Sequence, residues 1–128
     1  MLCKTVKAEF GEKELHLAYT VNAMFQINDL LTENEQVMDI LGACSQEDFK
    51  RFCEAVSILA QCGSQIREAE KLPASATPSA TELGIRLTPL EFVVIKKAAM
   101  DAVLLGYGRE VKDEDEEIDL ELANLEKK

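Results

Sequence analysis

One segment, residues 88–108, is apolar on nearly every side and therefore limits the folds open to this chain. It opens with the sequence Thr-Pro-Leu-Glu, in which Thr88 can cap a helix and Glu91 can complete a capping box. Proline suits the first helical position, where its missing N–H costs nothing, and two glycines near residue 107 suit a helix end. The segment is therefore predicted to be a helix.

At 100° per residue this helix has two apolar surfaces, a wide face and a narrow ridge. The wide face comprises Phe92, Val94, Ile95, Ala98, Ala99, Ala102, Val103 and Leu105. The ridge comprises Val93, Met100 and Leu104, with Lys96 and Lys97 beside it. Such a helix must be covered on more than one side, by its own chain, a second copy or a partner. We predict a central core helix, with the ridge as a candidate partner-binding surface. Its charged residues argue against a membrane span.

Residues 4–10 and 14–19 alternate between apolar and polar side chains, with a plausible turn at residues 11–13. This pattern predicts a β-hairpin with one apolar face. A lone hairpin is barely stable in water, so this one must lie on helices or pair with another chain, and its free edges are places for self-association. His16 falls on the polar face, and we predict a solvated side chain.

The sequence between residues 20 and 72 predicts three helices. Apolar residues at helical spacing predict a first helix over residues 20–31. They also predict a shorter second helix, which Asn34 caps and Gly42 ends. The longest helix should cover residues 46–72 and carry a heptad-like stripe. The stripe comprises Phe49, Phe52, Val56, Leu59, Gly63 and Ile66. Gly63 on it would allow another helix to approach closely.

Two further segments divide the chain. Residues 73–81 hold no charge and no large apolar residue, so they form either a linker or an ordered excursion over the surface. Residues 109–128 are strongly acidic, and we predict a flexible tail. Ile118, Leu122 and Leu125 share a helical face there and are candidate partner contacts; the alternative is a solubilising tail without a partner. The predicted fold is mainly α (α+β), a single domain of an N-terminal hairpin and about four helices over residues 1–108.

The chain carries little that suggests catalysis. Its single histidine and four cysteines form neither a zinc pattern nor a Cys-x-x-Cys pair, and there is no Gly-rich phosphate loop. We therefore predict no enzyme, metal or cofactor, and reduced thiols in a cytoplasmic protein. A net charge of −10 and 5% aromatic residues argue against nucleic-acid binding.

The order of elements resembles a known family. Residues 15–27, with sequence LHLAYTVNAMFQI, place a strand ending in Tyr19 before Thr20 and then Ala23 on a helix. An amphipathic middle helix follows, then the opening LTPLE at residues 87–91, an apolar helix and a charged tail. This pattern is similar to the small tail assembly chaperones of long-tailed phages and prophages, which are related by element order more than by invariant residues.

The resemblance implies a mainly helical protein that binds the tape measure protein during tail assembly and helps recruit tail tube subunits. No functional residue of the family maps onto this chain individually. The ridge or the face of the 46–72 helix would then supply the contact surface. Two alternatives stay open from the residues alone, a bacterial protein-binding adaptor and a self-assembling structural subunit.

Overall fold

A computed structural model describes residues 4–42 and 45–108. In chain order the elements are β1 (Val6–Phe10), β2 (Lys13–Leu17), α1 (Val21–Asn28), α2 (Val37–Leu41), α3 (Gln46–Ala69), α4 (Ala80–Arg86) and α5 (Pro89–Gly106). The predicted class, mainly α with an N-terminal hairpin and about four helices, is confirmed, since four helices have seven or more residues. The predicted acidic tail lies outside the described residues.

The hairpin is antiparallel, with Val6 opposite Leu17 and Phe10 opposite Lys13. Two residues connect the strands, and Gly11 has a φ of +60° while Glu12 has a negative φ, as in a type II′ turn. The hairpin packs on the long helices, β2 against α3 and β1 against α5. A two-stranded sheet needs such cover to be stable.

Helix α5 begins with the predicted capping box: the Glu91 N–H donates to Thr88 Oγ1 over 3.2 Å, and the Thr88 N–H donates to Glu91 Oε1 over 3.2 Å. Its central turns are buried, with Ile95 and Ala99 at 0% exposure. At its start Phe92 meets two aromatic rings of α3, at centroid distances of 5.1 Å to Phe52 and 5.7 Å to Phe49. The prediction of a central core helix is confirmed.

Helix α3 crosses the backbone of β2 at Gly63. A Cβ atom at this position would lie 1.7 Å from the carbonyl oxygen of His16, so only glycine fits. The Ala18 N–H donates to the Leu59 carbonyl one turn earlier, over 3.1 Å. Gly63 therefore allows the close approach of a strand, β2, whereas the sequence analysis expected the close approach of another helix. The spacing of residues along α3 does not indicate which kind of element packs against it.

His16 is buried at 8% exposure, so the prediction of a solvated histidine is wrong. Alternation placed it on the polar face, but β2 is enclosed by α3 on one side and by the linker after α3 on another. The imidazole Nε2 lies 2.7 Å from Glu14 Oε1. That hydrogen bond is the chief cause of the lowered pKa of Glu14.

The loop between α1 and α2 is held by Arg51 of α3. The Arg51 guanidinium donates to Glu35 Oε2 over 2.9 Å and to Asp48 Oδ1 over 2.8 Å. Asn34, predicted as the cap of α2, instead has a φ of +71° in the loop. Gln36 is the N-cap, with Asp39 completing a capping box. Asparagine suits both a cap and a left-handed turn, which explains the wrong assignment.

Residues 73–79 are an ordered excursion along α3, one of the two predicted alternatives. Three α3 side chains donate to backbone carbonyls of this segment: Arg67 Nε to Pro73 over 2.9 Å, Ser64 Oγ to Ser75 over 3.4 Å and Ser57 Oγ to Pro78 over 2.9 Å. The Ala76 N–H donates to the Glu14 carbonyl over 3.2 Å, on the outer side of β2. The segment therefore covers the edge of β2 before α4 begins at Ala80.

Candidate client-binding surface

The predicted ridge of α5 is not a bare surface. Val93 is fully buried, and Met100 and Leu104 are partly buried. Met100 packs against the core, with its Cε atom near Gly42 at the end of α2. A partner would reach Val93 only after a rearrangement, so the partner-binding role of the ridge stays a prediction. The other predicted contacts, Ile118, Leu122 and Leu125, lie outside the described residues.

The charged residues beside the ridge are buried as well. Lys97 forms the predicted pair with Asp101, four residues on, and both side chains are below 10% exposure. Lys96 Nζ lies 5.6 Å from the centroid of the Phe92 ring. Because buried charges require partners, these contacts explain how three charged residues are accommodated in a core helix.

Exposed apolar surface lies on other elements. Six large apolar residues are exposed among those described: Val21, Phe25, Leu72, Ile85, Leu90 and Tyr107. Ile85 has the largest exposed fraction, 77%, and Val21 and Phe25 form a pair one turn apart on α1. Scattered apolar residues are normal on protein surfaces, so a binding site needs a concave arrangement as well.

Ile85 lines such an arrangement, a groove between α3 and α4. We call this the α3–α4 groove; it is lined by Gln46, Phe49, Lys50, Cys53, Glu54, Ala80, Thr81, Gly84 and Ile85. Its lining residues recur every three or four positions on each helix, so one stripe of α3 faces one stripe of α4. Gly84 lines the groove without a side chain, and a Cβ atom there would meet nothing within 4 Å.

The groove has apolar walls and a polar rim. Phe49 is half-buried and Cys53 is buried, whereas Lys50, Glu54 and Thr81 are exposed. Helix α4 is fixed at its start by the Ser79 cap, whose Oγ accepts the Glu82 N–H over 3.0 Å, and by Leu83 in the core. This arrangement suits the apolar stripe of an amphipathic helix, with polar contacts around it.

The sequence contained a signal for the groove that our prediction did not use. Ser79 precedes Glu82 by three residues, the spacing of a capping box, and marks the start of a helix. Leu83 and Ile85 are two positions apart and so point to nearly opposite sides of that helix. With Leu83 in the core, Ile85 must face outward.

A second groove lies at the end of α5. It is lined by Tyr19, Asn28, Leu31, Glu35, Gln36, Val37, Met38, Val103, Leu104 and Tyr107. The rings of Tyr19 and Tyr107 pack at a centroid distance of 5.6 Å. Burial, and then hydrogen bonding with Tyr107, raises the pKa of Tyr19, so its hydroxyl stays neutral. Leu104 is the one residue of the predicted ridge that lines this groove.

The thiol of the groove cysteine, Cys53, has a raised pKa. Burial, and then the charge of Glu54, raises the pKa of the Cys53 thiol to about 11, whereas catalytic cysteines have lowered pKa values. Within residues 4–42 and 45–108, no group of three His, Cys, Asp or Glu side chains could hold a metal ion. None of the helices described is both long and apolar enough to cross a bilayer.

Comparisons of the chain with protein-family models, curated proteins and solved structures find no match.

Proposed function

We propose that this protein is a non-enzymatic tail assembly chaperone of the long-tailed-phage type, which holds an amphipathic helix of the tape measure protein in the α3–α4 groove. The observation that carries the proposal is Ile85, 77% exposed at a groove with apolar walls. The resemblance of the element order in the sequence to that of tail assembly chaperones is the reason for proposing the tape measure protein as the client. Recruitment of tail tube subunits follows as part of the same proposal.

The charge of the chain supports a holding role. A tape measure protein is long and forms helices whose apolar faces aggregate when bare. A net charge of −10 on the chaperone would keep the complex soluble by repulsion between complexes. Lys50 and Glu54 at the groove rim offer one charge of each sign, which helps to set the orientation of the bound helix.

The test is the binding affinity of a tape measure fragment for the full chain, measured by calorimetry. Ile85→Asp is expected to weaken binding at least about tenfold, because a carboxylate in an apolar interface loses its hydration without a partner. Circular dichroism should show an unchanged fold, since residue 85 contributes little to the core.

Val21→Asp is the matched control. Val21 is 65% exposed and is the first residue of α1, where an aspartate is favourable. The variant adds the same charge away from the groove, so binding should be unchanged. Equal binding by Ile85→Asp and the unaltered protein, or equal loss in both variants, would reject the groove. If no tape measure fragment binds the protein, the tape measure protein is rejected as the client.

Gene neighbourhood separates this proposal from a bacterial adaptor. A gene between those for the tail tube and tape measure proteins supports the chaperone, whereas a gene outside any phage region supports the adaptor.

A further inference from the structure

The outer edge of β1 has backbone groups that no described residue binds. The Glu14 carbonyl accepts the Ala76 N–H, so it points away from β1. Glu14 lies opposite Glu9, and residues opposite each other in a non-hydrogen-bonded pair both direct their backbone groups outward. The N–H and C=O groups of Glu9, and by alternation those of Lys7, therefore point to the outer edge. Neither residue makes a backbone hydrogen bond there to another residue that the structure describes.

The outer edges of β1 and β2 differ in their backbone hydrogen bonds. The Ala76 N–H donates to the outer edge of β2, and the Ala18 N–H just beyond β2 donates to the Leu59 carbonyl, whereas no described residue forms a backbone hydrogen bond to the outer edge of β1. An uncovered strand edge is a template for pairing with another strand. The outer edge of β1 is therefore the edge of the hairpin that is open to another strand.

The charges of β1 are complementary to themselves. Its sequence is Val-Lys-Ala-Glu-Phe, with Lys7 and Glu9 exposed on the outer face and Ala8 between them. In an antiparallel pair centred on Ala8, Lys7 of each copy lies opposite Glu9 of the other, giving two opposite-charge pairs. The same residues carry the outward backbone groups, so hydrogen bonding and charge favour the same register.

Neighbouring registers are disfavoured. If the pairing register between the two β1 strands shifts by one residue, side chains of opposite faces become neighbours. The outward-pointing N–H and C=O groups of one strand then no longer lie opposite those of the other. Centring the pair on Lys7 places lysine against lysine, and centring it on Glu9 places glutamate against glutamate. Like charges directly opposite each other destabilise a sheet.

The hairpin itself benefits from this pairing. Glu9 lies opposite Glu14 within the same chain, a like-charge pair. Lys7 is bound to Glu14 rather than to Glu9, with Nζ 3.3 Å from Glu14 Oε2. A lysine from a second copy on the open side of Glu9 would offset the repulsion.

We infer that two copies of this chain associate through β1, in an antiparallel register centred on Ala8, to form a four-stranded sheet. On the inner face this register places Val6 of each copy opposite Phe10 of the other, which extends the apolar surface across the two-fold axis. The inference concerns self-association alone and is independent of the client.

Sedimentation velocity of the full chain, over a range of concentrations, tests the inference. The unaltered protein is expected to dimerise reversibly. Lys7→Glu and Glu9→Lys should each weaken the dimer at least about tenfold, because each turns both opposite-charge pairs into like-charge pairs. Circular dichroism checks that each variant is folded.

Mixing the two variants provides the decisive measurement. Lys7→Glu carries two acids on the edge and Glu9→Lys carries two lysines, so their heterodimer restores both opposite-charge pairs. The mixture is expected to dimerise about as tightly as the unaltered protein, as is the double variant K7E/E9K. The weakening of both single variants distinguishes this register from the two centred on Lys7 or Glu9, because the central pair in those two registers is already like-charged and neither variant makes it worse.

Glu33→Lys is the matched control, since Glu33 is exposed in the loop between α1 and α2. It makes the same change in net charge as Glu9→Lys and should leave dimerisation unaltered or slightly favoured. A monomeric unaltered protein at all concentrations would overturn the inference. So would dimerisation of both single variants at unaltered affinity, or a mixture that stays monomeric.

Discussion

At the scale of single residues, Glu91 joins local and long-range structure. Its carboxylate accepts the Thr88 N–H in the capping box of α5 and also the Gly11 N–H of the hairpin turn, over 2.6 Å. The bond from Gly11 is the main cause of the lowered pKa of Glu91. Nearby, Lys13 Nζ donates to Glu82 Oε2 over 2.8 Å. One end of the hairpin is thus fixed to the start of both α4 and α5.

We expect Glu91→Ala to lower the free energy of unfolding by about 1–2 kcal/mol, the usual cost of losing a cap together with a second hydrogen bond. Urea denaturation measures the change. Glu91→Gln should recover part of the loss, because an amide oxygen also accepts a hydrogen bond. Glu12→Ala, at the exposed turn, is the control and should change stability by less than about 0.5 kcal/mol. An equal effect of Glu12→Ala would contradict this role.

At this scale the sequence predicts local chemistry well and long-range contacts poorly. The cap at Thr88 is predicted from the sequence, because a cap depends on residues three positions apart. The burial of His16 is not, since it depends on α3 and on the segment that follows it. The same reason applies to the Gly11–Glu91 bond, whose residues are 80 positions apart.

At the scale of elements, the crossing of α3 over β2 sets the architecture. Gly63 permits backbone contact at the crossing, and the excursion of residues 73–79 then returns along the same strand. The α3–α4 groove is a consequence, because this return brings α4 back beside the first turns of α3. Periodicity predicted the helices, but nothing local indicated which pairs would be neighbours.

Two alanine substitutions test this crossing. Gly63→Ala is expected to destabilise the protein by about 3 kcal/mol or more, since the added methyl meets strand backbone that cannot move aside. Gly84→Ala is the matched control, because a Cβ there meets nothing within 4 Å. It should stabilise α4 by about 0.5–1 kcal/mol through the better helix propensity of alanine. Thermal unfolding of both variants gives the comparison, and equal melting temperatures would refute the close contact.

At the scale of the whole molecule, carboxylates that pair across elements make stability depend on pH. Hydrogen bonds from Arg51, and then from Thr32, lower the pKa of Glu35 from 4.5 to about 2. The pKa values of Glu14, Glu82 and Glu91 are lowered as well. Carboxylates with lowered pKa values stabilise the folded state above their unfolded pKa and lose this contribution as pH falls through the folded pKa.

The free energy of unfolding is therefore expected to fall steadily from pH 4.5 towards about 2, the interval between the two pKa values of Glu35. Urea denaturation at a series of pH values measures the dependence. Glu35→Gln should lessen the slope, because its amide does not titrate. Glu33→Gln, two residues earlier and exposed, should leave the slope unchanged. A stability that is constant over this interval would contradict the proposed ion pairs.

The contact between the hairpin and α5 has a consequence for biosynthesis. Gly11 and Glu91 are 80 residues apart, so at roughly 5–20 residues per second the ribosome needs roughly 4–16 s to supply the second after the first. Throughout that interval the apolar side of the nascent hairpin lacks the helix that will cover it. The contact between β1 and α5 therefore forms only after α5 has been translated, and early termination before α5 yields a fragment that lacks the helix packed against its first strand.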